Sequence, residues 1–404
     1  MSASYLSACA DRLRDETLHR LIVPRMVEDS GCWRIEHRDA AGRSLVASKP
    51  IPAGTRVFIE RPVVVAPGGA AAVAKAILQL DRDGDEFAAA CQLQGQHMQH
   101  ATRLLPTDES NDGWAPWAAG VARVNVHGAG GTPVDPAAGR RAVLCLLGSM
   151  MQHECCPSCV TNFSNADEGT LLSLHTVRDL DAGELLSISY CASYQTTERR
   201  RELLQMQHKF LCECRRCTTL PEDVRAFRCP NCGEGPCSPT TSAPDCRDLF
   251  CDACECVMQL DDEAWKGLTD AEACETVSQE MLSVLHPYHH KPTLMYMLNL
   301  LKLPPSSRAS FLRQHADARQ RLYAHFCAPG LTSAMVANDI EAAAVAHLAG
   351  GELDEAAEAF TDAAGRFETF YGVGSQNALR CHKAAGAKTL DLYIKIGGEV
   401  NAHH

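Results

Sequence analysis

Phe210-Leu-Cys-Glu-Cys-Arg-Arg-Cys217 and, well upstream of it, Gln152-His-Glu-Cys-Cys-Pro-Ser-Cys159 are the stretches on which the fold turns. Cys212, Cys214 and Cys217 are crowded too closely to pair readily with one another as disulfides, which need a specific Cα and Cβ geometry. They suit one tetrahedral zinc ion if a distant segment delivers a fourth thiolate. The upstream stretch offers Cys155, Cys156 and Cys159 for that position. A metal held this way pins two remote parts of the chain side by side.

A second cysteine group follows. Cys229-Pro-Asn-Cys232-Gly and Cys251-Asp-Ala-Cys254 are Cys-x-x-Cys knuckles eighteen residues apart, the spacing of a zinc ribbon. Cys237, Cys246 and Cys256 are alternative ligands, but the glycine after Cys232 fits a tight knuckle turn. Residues 221–258 carry few apolar side chains, so a metal staple is expected to order them.

Composition narrows the setting. The chain has 404 residues, 46% hydrophobic and 22% charged, as in an ordinary globular protein with two or three compact units. Its 21 cysteines cluster in metal-binding patterns, which points to a reducing compartment, nucleus or cytoplasm. Asp11, Asp15 and Glu16 interrupt the N-terminal stretch, which argues against a signal peptide or mitochondrial presequence. The longest uncharged runs fall short of the ~18 residues a membrane span needs. A net charge of −12 disfavours nonspecific nucleic-acid binding and suits a lysine-rich partner.

Apolar spacing predicts an amphipathic helix over residues 5–27, ending near Pro24, and strands at Ser44–Ala47 and Thr55–Glu60. Ala70–His100 reads as helical, Gly128–Gly139 as a loop, Arg141–Met151 as a helix, Leu171–His175 and Leu185–Tyr190 as strands, and Glu198–Lys209 as a helix. From Asp261 onward helices are expected, with Ile340–Tyr371 spaced like one tetratricopeptide hairpin turning at Gly-Glu-Leu. His286, His289 and His290 read as a packed or solvated helix end, and Glu352, Asp354, Glu355, Glu358 and Asp362 as helix-surface charge.

In chain order these pieces resemble the SET-domain protein lysine methyltransferases, within them the SET-and-MYND branch. Gly42-Arg-Ser-Leu-Val-Ala with Ile51-Pro-Ala-Gly resembles the opening strand pair, and Val124-Asn-Val-His-Gly the asparagine-bearing strand before the knot. Residues 152–159 resemble the knot segment Asn-His-Ser-Cys-x-Pro-Asn-Cys. Asp181-Ala-Gly-Glu-Leu-Leu-Ser-Ile-Ser-Tyr190 resembles the strand with the catalytic tyrosine, and Phe210–Cys217 the post-SET segment. The resemblance covers residues 30–220 well and the rest loosely. A MYND module is expected to be absent, because Cys91 is the sole cysteine between Cys32 and Cys145.

The resemblance implies an α+β chain: a β-rich SET fold with pseudoknot and post-SET zinc site over 1–220 with a helical insert at 67–122, a small zinc ribbon over 221–260, and an all-α, tetratricopeptide-like domain over 261–404. It implies methyl transfer from S-adenosylmethionine to a protein lysine, with Tyr190 catalytic. Gly42, Arg43, Asn125, Gln152, His153, His208 and Phe210 would bind the cofactor, Phe210 by stacking on adenine. By family position Cys155 joins Cys212, Cys214 and Cys217 on one structural zinc, while by their knuckle spacing, not by the resemblance, Cys229, Cys232, Cys251 and Cys254 hold a second. Tyr194 is a weaker candidate for the lysine channel. The implied partner is a lysine-bearing protein, with a possible complex through the C-terminal helices, and neither direct nucleic-acid contact nor a membrane.

The chemistry sets physical demands. Presenting lysine as a neutral amine at pH 7 costs about 4–5 kcal/mol from its pKa near 10.4, which a dry channel offsets. Holding donor and acceptor in line is worth roughly 7–11 kcal/mol. The chain departs from the family pattern at Ser44, Gln152, Glu154, Ser158 and His208, where an aromatic residue is usual. A displacement of order 1 Å at such contacts costs about 100-fold in rate. The rival reading is therefore a SET scaffold acting as a zinc-containing, chromatin-associated interaction adaptor; a ribbon that contacts nucleic acid is weaker still, since acidic residues surround it.

Overall fold

The structure, a computed structural model, describes residues 16–38, 42–93, 114–129, 141–166, 169–192, 194–218, 222, 224–275, 278–291, 302–326, 334–372 and 374–402. The start of the N-terminal helix, the end of the alanine-rich helical stretch and most of the Gly128–Gly139 loop lie outside these residues. Within them, helix Glu16–Ile22 and a 3-10 turn at Val23–Arg25 lead into strand β1 (Met26–Asp29). β2 (Trp33–Arg38) and β3 (Gly42–Ala47) form an antiparallel hairpin registered from Trp33↔Ala47 to Arg38↔Gly42. Gly42 enters β3 at φ +70°, a backbone region that residues with a Cβ seldom adopt.

β4 (Arg56–Glu60) and β5 (Val64–Pro67) follow, then helices Ala70–Leu78, Asp85–Cys91 and Ala115–Asn125. β6 (Val126–Ala129), β7 (Arg141–Leu144), β8 (Gln152–His153), β9 (Cys159–Ala166), β10 (Gly169–Thr176) and β11 (Ser187–Ile188) complete the first half. They assemble as small sheets in the orders β1-β4-β10-β9, β5-β7-β6 and β11-β8. One core joins them, with Trp33, Phe58, Leu45, Leu144 and Leu172 all buried in it.

Two sequence expectations change here. Arg141–Met151 is not a helix: it opens as β7, pairing both β5 and β6, and ends in a 3-10 turn at Gly148–Met150. The reason is long-range. Glu60, 1% exposed, accepts the backbone N–H groups of Leu146 (2.6 Å), Leu147 (3.0 Å) and Gly148 (3.0 Å), fixing a non-helical turn from outside the segment. Asn125 in turn closes a helix rather than lying in a strand, and β6 begins at Val126.

The ribbon is an antiparallel sheet, β12 (Phe227–Arg228), β13 (Pro236–Pro239), β14 (Asp248–Cys251) and β15 (Val257–Gln259). It does not rely on its own few apolar residues. Phe227, Leu249 and the buried cysteines share a core with Ala271 and Met281 from helices Asp262–Ala273 and Gln279–Val284 and with Leu285, which caps the second. Arg225 binds Glu272 through two hydrogen bonds (2.8 and 2.7 Å), and His289 meets the same carboxylate at 2.9 Å. Burial works to raise the Glu272 pKa, but the hydrogen bonds and charges of Arg225 and His289 outweigh it and hold the carboxyl down at about 2. His289 and its neighbours thus pack as part of that network.

Helices Pro305–Phe326, Ala334–Gly350, Leu353–Tyr371, Gln376–Ala384 and Leu390–Ala402 close the chain. The expected hairpin is present: Gly351 at φ +80° makes the turn between helices Ala334–Gly350 and Leu353–Tyr371, which share an alanine- and phenylalanine-lined core. Helix Leu353–Tyr371 abuts the sheet, where Tyr371 meets His175 of β10 edge-on at 5.0 Å and Phe370 packs on Val177. No helix among the described residues is long and apolar enough to cross a membrane.

His175 is 3% exposed at this junction, and its Nδ1 has no hydrogen-bond partner. Burial, then the nearby Arg56 charge, lower its pKa to about 4. A histidine whose folded pKa lies below its unfolded value stabilises the fold fully above about pH 6.5, and that contribution is lost as pH falls toward 4. In urea unfolding at pH 7 and pH 5, His175→Phe is expected to lose less stability on acidification than the unaltered chain, by up to about 2 kcal/mol. Equal losses in both proteins would show that His175 does not set this dependence.

Candidate active site and metal centres

The parallel pair β8–β11 brings residues 152–159 beside 185–190, registering Gln152 with Ser187 and His153 with Ile188. Ser158, fully buried, locks the crossing: its hydroxyl donates to the Leu185 carbonyl (2.7 Å) and accepts the Ser187 N–H (2.8 Å), while Ser187 Oγ accepts the Ser158 N–H (2.9 Å). Glu154 accepts the Ser187 hydroxyl at 2.6 Å. The departures at Glu154 and Ser158 are therefore matched by a partner serine within the same crossing.

Tyr190 emerges directly after β11. Its N–H donates to His153 Nδ1 (3.0 Å), its ring lies 5.3 Å from the His153 ring, and its hydroxyl donates to the Met151 carbonyl. Burial raises its pKa to about 12, so the phenol stays protonated. With its proton committed to Met151, the oxygen's lone pairs remain available to accept.

On one side of Tyr190 is a cavity of about 520 Å³ lined by Asn125, His127, His208 and Tyr190, with Asn338 and Tyr371 contributed by the C-terminal helices. The His208 and Tyr190 rings are 4.8 Å apart. Asn125 lines this space, but its amide donates to Val121 of its own helix at 2.8 Å. His127 is the residue that sequence reading passed over: it stood in the quoted Val124-Asn-Val-His-Gly stretch, one of two polar residues there. Burial lowers its pKa to about 4, leaving it neutral.

The remaining expected cofactor residues gather around His153. Gln152 donates its side-chain amide to the Arg43 carbonyl (3.2 Å), beside Gly42, and the His153 ring lies 5.9 Å from Phe210. Arg43 itself binds Gln92. Tyr190 is common to this group and to the cavity. Tyr194 is in neither: it packs on His315 at 5.2 Å and donates to the Tyr288 carbonyl, as a core tyrosine does.

The four sulfurs of Cys155, Cys212, Cys214 and Cys217 all lie within 4.8 Å of one another, Cys155 standing 3.9 Å from Cys212 and 3.5 Å from Cys217. A tetrahedral ion with Zn–S bonds of about 2.3 Å separates its sulfurs by about 3.8 Å, so the donor set fits zinc or a similar thiophilic ion. Cys156 is engaged in a disulfide and packs near Tyr194, and Cys159 lies in β9. Four thiolates on a divalent ion carry two negative charges. Arg200, fully buried, answers them, with Nε 3.2 Å from Cys155 Sγ and a terminal nitrogen 3.6 Å from Cys217 Sγ. Helix Thr197–His208, capped by Thr196 Oγ1 accepting the Arg199 N–H, delivers it there. The sequence shows only a run of three arginines, with nothing to single out Arg200.

Cys229, Cys232, Cys251 and Cys254 form a second such group, with sulfur separations of 3.7 and 3.8 Å across it. The N–H groups of Cys232 and Gly235 point at Cys229 and Cys232 sulfurs, both at 3.4 Å. Gly235 is required for proximity: a Cβ there would lie 2.5 Å from Ala253 Cβ and 2.7 Å from Cys251 Sγ.

The SET domain family model matches residues 42–191, the span that contains β3 through Tyr190. Among curated proteins, the histone-lysine N-methyltransferase SMYD3 of Mus musculus is 40% identical over 76 residues, 19% of this chain and 17% of that protein. The N-lysine methyltransferase SMYD2 of Gallus gallus is 29% identical over 102 residues, 25% of this chain and 21% of its own length. The histone-lysine N-methyltransferase set5 of Schizosaccharomyces pombe is 25% identical over 185 residues, 46% and 50% respectively. The match thus spans about a fifth of the SMYD relatives' length. With the strand crossing, the tyrosine at its exit and the cysteine cage beyond it, residues 42–191 carry a SET domain similar to that of the SMYD relatives.

Proposed function

We propose that this chain transfers the methyl group of S-adenosylmethionine to the side-chain amine of a lysine in a protein substrate. One observation carries the reading: Tyr190, its hydroxyl proton held by Met151, joins the Gln152–His153–Phe210 group to the cavity inside a matched SET domain. The names of the SMYD relatives support it.

S-adenosylmethionine, when bound, supplies an electrophilic methyl group on a sulfonium. Gly42 and Arg43 would meet its methionyl end through the backbone, Gln152 and His153 its polar groups, and half-buried Phe210 its adenine. On the chain's own side, the Tyr190 oxygen accepts a hydrogen bond from the target amine and holds its lone pair on line. Burial around that oxygen disfavours an ammonium and favours the neutral amine that can attack. The two cysteine cages are structural zinc sites in this reading, since four sulfur ligands leave no position open for water. The setting we propose is nucleus or cytoplasm, with a lysine-bearing protein as partner.

A second reading has a specific observation behind it. The Asn125 amide and the Arg43 side chain are both committed within the chain, which is how a SET scaffold that binds partners without a cofactor would look.

Calorimetry separates the two. S-adenosylmethionine is expected to bind at micromolar concentration, with Phe210→Ala weakening it at least tenfold; no heat at millimolar ligand would leave the adaptor reading alone. In a methyl-transfer assay on bulk core histones, Tyr190→Phe is expected to lower turnover by about 100-fold or more while retaining cofactor binding, the pattern of an interaction made in the transition state. Elemental analysis is expected to find two zinc ions per chain, and Cys155→Ser and Cys251→Ser to lower that by one each. Fewer than one ion in the unaltered chain would overturn both metal assignments.

A further inference from the structure

Cys191 follows Tyr190 in the chain and belongs to neither four-sulfur cage. It completes a third donor group: His153, Cys155 and Cys191 each supply one ligand atom, and the three atoms lie within 4.8 Å of one another. No Cys-x-Cys or Cys-x-x-Cys spacing links these residues, so the group exists only through the strand crossing. β8 carries His153 and leads into Cys155, while its parallel partner β11 leads through Ser189 and Tyr190 to Cys191. The Ser189 hydroxyl donates to the Cys191 carbonyl at 2.7 Å, and the Cys191 side chain packs on Cys155, Leu204, Cys212 and Cys217. His153 and Cys191 are half-buried and Cys155 is buried, so an ion enters past the first two.

We infer that His153 Nε2, Cys155 Sγ and Cys191 Sγ form an exchangeable site for a thiophilic divalent ion of the zinc class, with Cys155 bridging it to the ion of the four-sulfur cage. Zinc bonds of about 2.1 Å to nitrogen and 2.3 Å to sulfur span donors held this close. A zinc-bound thiolate keeps lone pairs with which to bridge. Two sulfurs and one imidazole leave a fourth position for water, so this ion is held by fewer protein ligands than either cage ion and comes off first. Charge favours it as well. Four thiolates on a divalent ion, the buried Arg200 and Arg216 and the Glu222 carboxylate together leave one negative charge. A second divalent ion with Cys191 as its thiolate compensates that charge.

Occupancy has a consequence for Tyr190. The Tyr190 N–H donates to His153 Nδ1 at 3.0 Å, so in the empty site the neutral ring carries its proton on Nε2, 3.3 Å from Cys155 Sγ. An ion on Nε2 displaces that proton to Nδ1 and the Cys191 proton to solvent. Nδ1 then no longer accepts, and the bond that holds the Tyr190 backbone is lost. The site itself stands apart from the methyl-transfer reading; its opposition to the cofactor, which that reading places at His153, rests on it.

The test uses zinc alone as the probe, with the full chain kept reduced and dialysed against buffers of fixed free zinc. Two ions per chain are expected at nanomolar free zinc and a third at micromolar. Cys191→Ser should keep the two cage ions, which report an intact fold, and weaken the third at least about tenfold, since even groups behind the ligands are worth that much in metal affinity. A readout that needs no stable variant of Cys191 is ¹⁵N-histidine spectroscopy of the unaltered chain. There the third ion is expected to move the proton of one ring, His153, from Nε2 to Nδ1, with the signal identified by its loss in His153→Gln. S-adenosylhomocysteine and the third ion should weaken each other by one common factor, at least about fivefold. Saturation at two ions, a third ion indifferent to Cys191→Ser, or a His153 ring unchanged as it binds would overturn the site. Failure of the chain to bind S-adenosylhomocysteine would overturn the methyl-transfer reading and leave the site standing.

Discussion

The convergence of four cysteine sulfurs, spaced as ligands of one ion would be, holds the site together. Cys155 belongs to the crossing of β8 and β11, and Cys212, Cys214 and Cys217 to the segment after helix Thr197–His208; their sulfurs converge to within 4.8 Å. Without a shared ion such proximity would be unfavourable, because thiolates repel and thiols make weak hydrogen bonds. The buried Arg200 fits the same picture, with the nearby Glu222 carboxylate and the sulfurs both supplying negative charge. A guanidinium with no exposed surface requires negative charge nearby, and the sulfurs at 3.2 and 3.6 Å provide it. Sulfurs, arginine and the Glu222 carboxylate form one electrostatic unit, into which a shared ion would fit.

Glu60 plays a comparable part on the other side of the core, with opposing effects. Burial raises its pKa to about 7, while three backbone N–H groups, and then Arg25, act to lower it. The carboxylate's hydrogen bonds fix the turn from Leu146 to Gly148, and that turn sets the start of β8 and hence the position of Gln152 and His153. The side chains around Tyr190 are therefore aimed by two polar anchors, one sulfur-based and one carboxylate-based, rather than by apolar packing alone.

Much of this was legible in the sequence because it depended on spacing. Cysteine intervals named both cages, and the Gly-Glu-Leu-Leu-Ser-Ile-Ser-Tyr run named Tyr190, since such patterns are read over a few consecutive residues. What was not legible depended on distant partners. Arg141–Met151 has helical composition, but pairing with β5 and β6 and capture by Glu60 override local preference. Asn125 looked like the polar residue of its stretch, yet its amide bonds its own helix, and His127 two positions on meets the cavity. Arg200 lay unmarked in a run of like residues, since the helix phase that turns it inward depends on the Thr196 cap. The ribbon seemed too poor in apolar residues to hold itself up, and it takes its core from helices that follow it.

Asn338 and Tyr371 belong to helices far along the chain, yet they form part of the wall around the cavity at Tyr190. The boundary between the SET half and the helical half is thus a convenience of description. A fragment ending before residue 300 would keep the tyrosine, the crossing and the sulfur cage but present them to bulk water on an unwalled flank. Evolutionary change in the terminal helices can in consequence reshape what the tyrosine encounters without altering any residue of the matched domain.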